Sequence, residues 1–93
     1  MLKIFEKPVM TRFVIVGDFE LEADKVLMTL EDFECNDEIK GYELDTEVAD
    51  ILATEGVLKK YRGTRMVQLY SKGEKFKSFY QEFKEVYYKN SID

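Results

Sequence analysis

Ninety-three residues suffice for one domain, taken as residues 1–93, and leave no room for a second. Hydrophobic residues make up 45% of the chain, with seven Phe and six Tyr, which is enough to pack a core and excludes a disordered polar tract. Net charge is −5, but five basic residues stand against fifteen acidic ones in 1–56 and nine against four in 57–93, a polarity that can steer a charged partner or simply reflect two differently solvated faces.

The longest apolar run, Phe13 to Val16, is far short of a membrane span. Lys3, Glu6 and Lys7 interrupt any secretion pattern, so no membrane association and a cytoplasmic, intracellular setting are expected. Cys35 is the single cysteine, so no intrachain disulfide can form; at a turn it reads as a small buried hydrophobe, with an intersubunit disulfide as the rarer use. Histidine is absent, which removes the commonest general base, the Ser-His and Cys-His nucleophile pairs and the usual zinc ligand. Glycine-rich phosphate loops are absent too. No catalytic residue, metal or cofactor is therefore expected, and the chain reads as a binding protein, not an enzyme.

Along the chain, Pro8 suits a first helical turn, and Val9, Met10, Phe13 and Val14 follow at helical spacing up to Gly17. The β-branched and aromatic run Phe13–Val16 makes a strand compete there. Phe19 to Glu22 alternates as a short strand does, and Val26, Leu30 and Phe33 place a helix over Ala23–Phe33. Residues Glu34 to Lys40 read as a turn. A further helix is expected from Tyr42 to Glu55, stopped by Gly56. Leu58 to Leu69 reads as a β-hairpin turning at Tyr61-Arg62-Gly63-Thr64. A final helix runs from Lys72 to about Tyr88, opened by Ser71 and Glu74 at capping-box spacing, with Phe76, Phe79, Tyr80, Phe83, Val86 and Tyr87 as its apolar stripe.

That order carries a resemblance. The segment Val48-Ala49-Asp50-Ile51-Leu52-Ala53-Thr54-Glu55-Gly56-Val57-Leu58 resembles the end of a winged-helix recognition helix and its entry into the wing. Leu69-Tyr70-Ser71-Lys72-Gly73-Glu74-Lys75-Phe76 is similar to the Leu-Thr-x-Lys-Gly-x-x-Phe motif of small winged-helix regulators of archaea and archaeal viruses, with Tyr70 in place of the capping Thr. The resemblance implies a mainly α fold with a small β wing, a winged helix-turn-helix with an extended C-terminal helix. It also implies a DNA-binding transcriptional regulator acting on double-stranded DNA. Carried over position by position, the DNA contacts would be Lys40, Tyr42 and Thr46 around the recognition helix and Lys59, Lys60, Arg62 and Arg65 on the wing.

The recognition helix does not suit the task. Glu43, Asp45, Glu47 and Asp50 would face a polyanion, where groove readers usually present Arg, Lys, Asn or Gln. The alternative is an acidic winged-helix module that binds a protein partner instead of DNA. The aromatic stripe of the last helix is too broad for so small a core to cover, so a homodimer is expected, with Tyr80, Phe83 and Tyr87 at its interface and Phe76 and Phe79 turned inward.

Overall fold

The computed structural model describes residues 2–7 and 11–90. Six strands and three α-helices follow in the order β1 (Ile4–Glu6), β2 (Arg12–Val16), β3 (Phe19–Glu22), α1 (Ala23–Cys35), β4 (Glu38–Lys40), α2 (Thr46–Thr54), β5 (Leu58–Arg62), β6 (Gln68–Lys72) and α3 (Phe76–Asn90). Single 3-10 turns occupy Gly41–Glu43 and Thr64–Met66. The strands form two antiparallel sheets, ordered β1-β2-β3 and β4-β6-β5.

The expected mainly α, winged helix-turn-helix class is overturned by this architecture, which is an α/β protein with two three-stranded sheets. Two segments account for the difference. Phe13–Val16, for which helix and strand competed, belongs to β2, the central strand of a meander, because its β-branched side chains alternate between two faces of a sheet. Residues 8–10 of the expected first helix lie outside the described residues. The expected turn Glu34–Lys40 holds β4, which pairs with β6 through Glu38↔Ser71, Ile39↔Tyr70 and Lys40↔Leu69. A strand thus occupies the segment that would have joined the two helices of a helix-turn-helix.

Local chemistry sets the boundaries. Gly17 at φ 61 begins the two-residue turn closed by Val16↔Phe19, a conformation that costs a glycine little. The helix expected from Tyr42 starts only at Thr46, because Asp45 takes the N-cap and its side chain accepts the Val48 N–H at 3.3 Å. Ser71 does not cap the last helix; it stays in β6, opposite Lys59, and α3 begins at Phe76.

One core runs through the molecule. Val14, Val16 and Leu21 come from the first sheet, Val26, Leu30 and Phe33 from α1, Val48 and Leu52 from α2, Leu58 and Tyr70 from the hairpin, and Phe76, Tyr80 and Phe83 from α3. Thr29 is the buried polar residue within it, its hydroxyl donating to the Lys25 carbonyl at 2.9 Å. Cys35, expected to be a buried hydrophobe, is exposed at the end of α1, where the apolar face defined by Val26, Leu30 and Phe33 has turned away from it.

The chain crosses itself where α2 leaves and α3 enters. The Val57 carbonyl accepts the Gly73 N–H at 2.8 Å and the Gly56 carbonyl accepts the Lys75 N–H at 3.1 Å. A Cβ on Gly73 would stand 2.4 Å from the Gly56 carbonyl oxygen and 2.9 Å from the Val57 carbonyl carbon, both backbone atoms that cannot swing aside. Gly73→Ala is therefore expected to lower stability by about 2–4 kcal/mol, in the range of overpacked core sites. In thermal unfolding this is a midpoint drop of about 10 °C or more. Gly56→Ala meets only the flexible Lys75 side chain, at 3.4 Å, and carries the strain of φ +84; its expected loss is about 1 kcal/mol. Equal losses for the two variants would remove the close approach as the governing constraint.

Candidate nucleic-acid interface on the hairpin

In the three-stranded sheet that contains the hairpin, residues directly opposite share a face. Leu58, Lys60 and Arg62 of β5 lie with Lys72, Tyr70 and Gln68 of β6 on the face toward the core, and Ile39 of β4 joins them. Lys59 and Tyr61 lie with Ser71 and Leu69 on the outer face, together with Glu38 and Lys40. The seven expected DNA contacts therefore do not form one surface. Lys40 and Lys59 share the outer face, Lys60 and Arg62 the inner one, and Arg65 stands at the tip. Tyr42, 74% exposed, projects from the 3-10 turn with the Lys40 ammonium 5.9 Å from its ring. Thr46 is the exposed first residue of α2.

Lys60 is held back. Its ammonium lies 2.9 Å from Asp50 Oδ1 on α2, and the same carboxylate accepts a hydrogen bond from the Tyr70 hydroxyl. Tyr70 is one of the most deeply buried side chains, so its hydroxyl needs that acceptor. Burial, the hydrogen bond to Asp50 and the charge of Asp50 all favour the neutral phenol and push its pKa well above the ordinary tyrosine range. Burial alone would raise the Asp50 pKa, but the hydrogen bonds from Tyr70 and Lys60 and the lysine charge outweigh it, leaving the carboxyl below its usual value. On the outer face the Tyr61 hydroxyl donates to Glu38, which raises the Tyr61 pKa.

Among the described residues, no carboxylate lies within ion-pair distance of Lys59, Arg62 or Arg65. The tip is strained: Arg65 at φ 60 and Met66 at φ 64 are consecutive non-glycine residues in the left-handed region, a conformation that typically costs about 1–3 kcal/mol per residue. Gly63 N–H to Val67 C=O, at 2.7 Å, closes the loop around them, and a Cβ on Gly63 would run into Leu69. Met66, which follows Arg65 at the tip, is 68% exposed. An arginine next to an apolar tip is a pair that duplex grooves accommodate.

The expected dimer residues are placed differently. Phe83 is fully buried and Tyr80 nearly so in the chain's own core. Tyr87 is half-buried, its hydroxyl donating to Asp24 Oδ1 at 2.6 Å and its ring lying 4.1 Å under the Arg12 guanidinium. The aromatic stripe is covered from within because α1 and the first sheet both reach α3, so Tyr80 and Phe83 offer no surface to a second subunit.

Sequence reasoning read Asp50 only as an acid opposing DNA and did not single out Met66 or Gln68, whose side-chain amide donates to the Tyr61 carbonyl at 2.8 Å. The period-two alternation of 58, 60, 62 and 68, 70, 72 is the signal that pairs Lys60 with Tyr70. Its meeting with Asp50 depends on how α2 packs on the hairpin, which no local pattern encodes. Among the described residues no group of three His, Cys, Asp or Glu side chains is arranged to hold a metal ion, and no helix is long and apolar enough to cross a membrane. No family model matches the chain, and no curated protein or solved structure similar to it was found.

The Asp50 tie has a pH signature. Because folding lowers the Asp50 pKa, its contribution is complete above the unfolded-state value of about 3.9 and is lost as pH falls through the lower folded-state value. The pair is nearly half exposed, so solvent screens it and its hydrogen bonds are expected to supply about 1 kcal/mol. Urea unfolding of wild type and Asp50→Asn should differ by that amount from about pH 5 to 8 and converge near pH 3 or below, in the region where the carboxyl takes up its proton. A constant difference down to pH 2, well below a free carboxyl, would show that the charge of Asp50 plays no part.

Proposed function

We propose that the protein binds double-stranded DNA through the tip and edge of the β5–β6 hairpin, the activity a small transcription regulator requires. The observation that carries this reading is the end of the hairpin, where Arg62 and Arg65 have no ion-pair partner among the described residues and Met66 is exposed on a strained tip, with Lys59 on the other face of the sheet. Contacts of this kind are directed to phosphates, which need charge more than a fixed hydrogen-bond pattern. The acidic α2 does not read bases in this scheme. Glu47 and Asp50 repel the backbone, and Asp50 withholds Lys60 from it.

A second reading has its own support. The acidic face of α2 already accepts one lysine, Lys60, in the shallow groove that Asp50, Thr54 and Leu58 line with it. A basic protein surface would meet the same chemistry there.

Fluorescence anisotropy of a labelled duplex of about 20 base pairs, at about 50 mM salt where phosphate contacts are strongest, distinguishes the two. Wild type is expected to bind different sequences with similar affinity. Arg62→Ala with Arg65→Ala should weaken binding at least tenfold on all of them and reduce the salt slope by about 2. Asp50→Asn should strengthen binding, since it removes a repelling charge and releases Lys60. Undetectable binding under these conditions, or a double variant that binds as wild type does, would defeat the DNA reading and leave the acidic face as the interaction surface.

A further inference from the structure

One side of β5 has no neighbouring strand, because β5 is an edge of the β4-β6-β5 sheet. The direction of its backbone groups follows from the rungs. Gly73 N–H bonds to the Val57 carbonyl and Gly63 N–H to the Val67 carbonyl, one pair beyond each end of the register that runs from Leu58↔Lys72 to Arg62↔Gln68. Hydrogen-bonded pairs alternate along an antiparallel ladder, so Lys59 and Tyr61 turn their N–H and C=O groups toward β6. Leu58, Lys60 and Arg62 turn theirs outward. Among the described residues none of those outward groups has a hydrogen-bond partner.

This edge borders the groove against α2. Leu58 and Lys60 from the inner face of β5 and Lys59 and Tyr61 from the outer face line one side of it, and Asp50 and Ala53 line the other. Side chains of both faces meet only along a strand's edge, so the groove runs beside the outward backbone groups. Residues 59–62 are exposed, which leaves the groove open to solvent. The Lys60–Asp50 pair braces α2 against the strand and uses both of those charges. The charges left over are those of Lys59 and Arg62, which have no carboxylate within ion-pair distance among the described residues.

We propose that this groove takes an extended acidic segment of a partner protein, which joins β5 as a further antiparallel strand. A peptide strand supplies both the donors and the acceptors that the outward carbonyl and N–H groups need. Phosphates only accept, so a nucleic-acid backbone leaves the carbonyls unmet. The β5 edge of a second copy would set cations against cations. Residues directly opposite in a ladder share a face and interact. A carboxylate opposite Lys59 and another opposite Arg62 therefore meet one unpaired cation each, on the two faces of the added strand. The residue opposite Lys60 faces Asp50 and Ala53 and must be small and uncharged, and the one opposite Leu58 is apolar.

A capped, labelled peptide Thr-Glu-Val-Ala-Glu-Val-Thr tests this by fluorescence anisotropy with the full chain. Paired antiparallel, its two Glu lie opposite Arg62 and Lys59 and its Ala opposite Lys60. The expected Kd is about 10–100 µM, a weak association. Lys in place of both Glu should weaken binding about tenfold or more, which is at least about 1.4 kcal/mol. N-methylation of the Ala should do the same, because it removes the N–H that bonds the Lys60 carbonyl and leaves every charge in place. Lys59→Glu with Arg62→Glu, both at exposed positions, should abolish binding while the far-UV circular dichroism stays unchanged. Amide exchange by NMR locates the contact: the Lys60 and Arg62 amides should exchange faster than those of Lys59 and Tyr61 in the free protein and slow selectively when the peptide is added. No nucleic acid enters the test, so its outcome is separate from that of the DNA reading. Absence of binding at about 1 mM peptide, far above the expected Kd, would overturn the proposal. So would a lysine peptide that binds as well or better, an N-methylated peptide that binds at full strength, or Lys60 and Arg62 amides that the peptide leaves unprotected.

Discussion

Gly73 has no side chain, and the backbone of Gly56–Val57 fills the space where one would be. This close passage fixes the end of α2, the start of β5, the end of β6 and the start of α3 against each other within a few residues. Gly56 at φ +84 ends α2 while Val57 N–H bonds back to the Leu52 carbonyl at 2.9 Å. The Val57 and Gly56 carbonyls are then free to receive Gly73 and Lys75. Leu58↔Lys72, the first rung of the hairpin, follows directly, and the register of every later rung is inherited from it. Slipping β5 by one residue against β6 would turn Leu58 out of the core and Lys59 into it.

From the same junction the chemistry of the hairpin follows. Tyr70 enters the core with its hydroxyl at the margin, and the margin is where α2 presents Asp50. A buried phenol without an acceptor costs about 1–3 kcal/mol, a cost that the Asp50 carboxylate removes by accepting from Tyr70. Lys60, opposite Tyr70 on β6, is drawn to the same carboxylate. β5 is also an edge strand, and its Lys59, Lys60 and Arg62 keep that edge from pairing with the same edge of another copy. The charges of the hairpin therefore serve solubility whatever else they touch. The strain at Arg65 and Met66 has no such structural use, since a glycine or asparagine would hold the turn at lower cost.

Much of the chain was legible from period alone. Ala23–Cys35 and Phe76–Asn90 carry apolar stripes at helical spacing long enough to outweigh their polar residues, and both are helices. The hairpin was legible from the Gly63 turn and the apolar residues Met66, Val67 and Leu69 after it, though Met66 lies in the turn and β6 runs on to Lys72. What failed were the short elements. Three residues of β4 hold too little pattern to mark a strand; Ile39 is its only apolar side chain, and the pairing partner lies thirty residues away in sequence. β2 was ambiguous because Val9, Met10, Phe13 and Val14 satisfy a helical period while Phe13–Val16 satisfies a strand composition. The pairing of Val14 with both Ile4 and Leu21 decides it. The choice of Tyr80 and Phe83 as exposed interface residues failed for the same reason: coverage of the α3 stripe comes partly from that unforeseen sheet. Of the candidate site, the basic hairpin residues were visible, but the division into two faces and the capture of Lys60 required the register and the packing of α2.

The acidic half of the molecule need not defeat a contact made by the hairpin, because distance and screening separate them. Strand rise is about 3.3 Å per residue, so Arg62 lies roughly 7 Å beyond Lys60 along β5, and the tip lies farther still. At physiological ionic strength the Debye length is about 8 Å, so Asp50 and Glu47 act on the tip only weakly. At about 10 mM salt the length grows to some 30 Å and the same acids oppose any polyanion held there. Counterion release pulls the other way, favouring phosphate contacts as salt falls. The two terms oppose each other in this chain more than in a uniformly basic protein. The salt dependence of the proposed hairpin contact should then be shallower than the number of phosphates alone would give, with the acids of α2 flattening the slope from a distance.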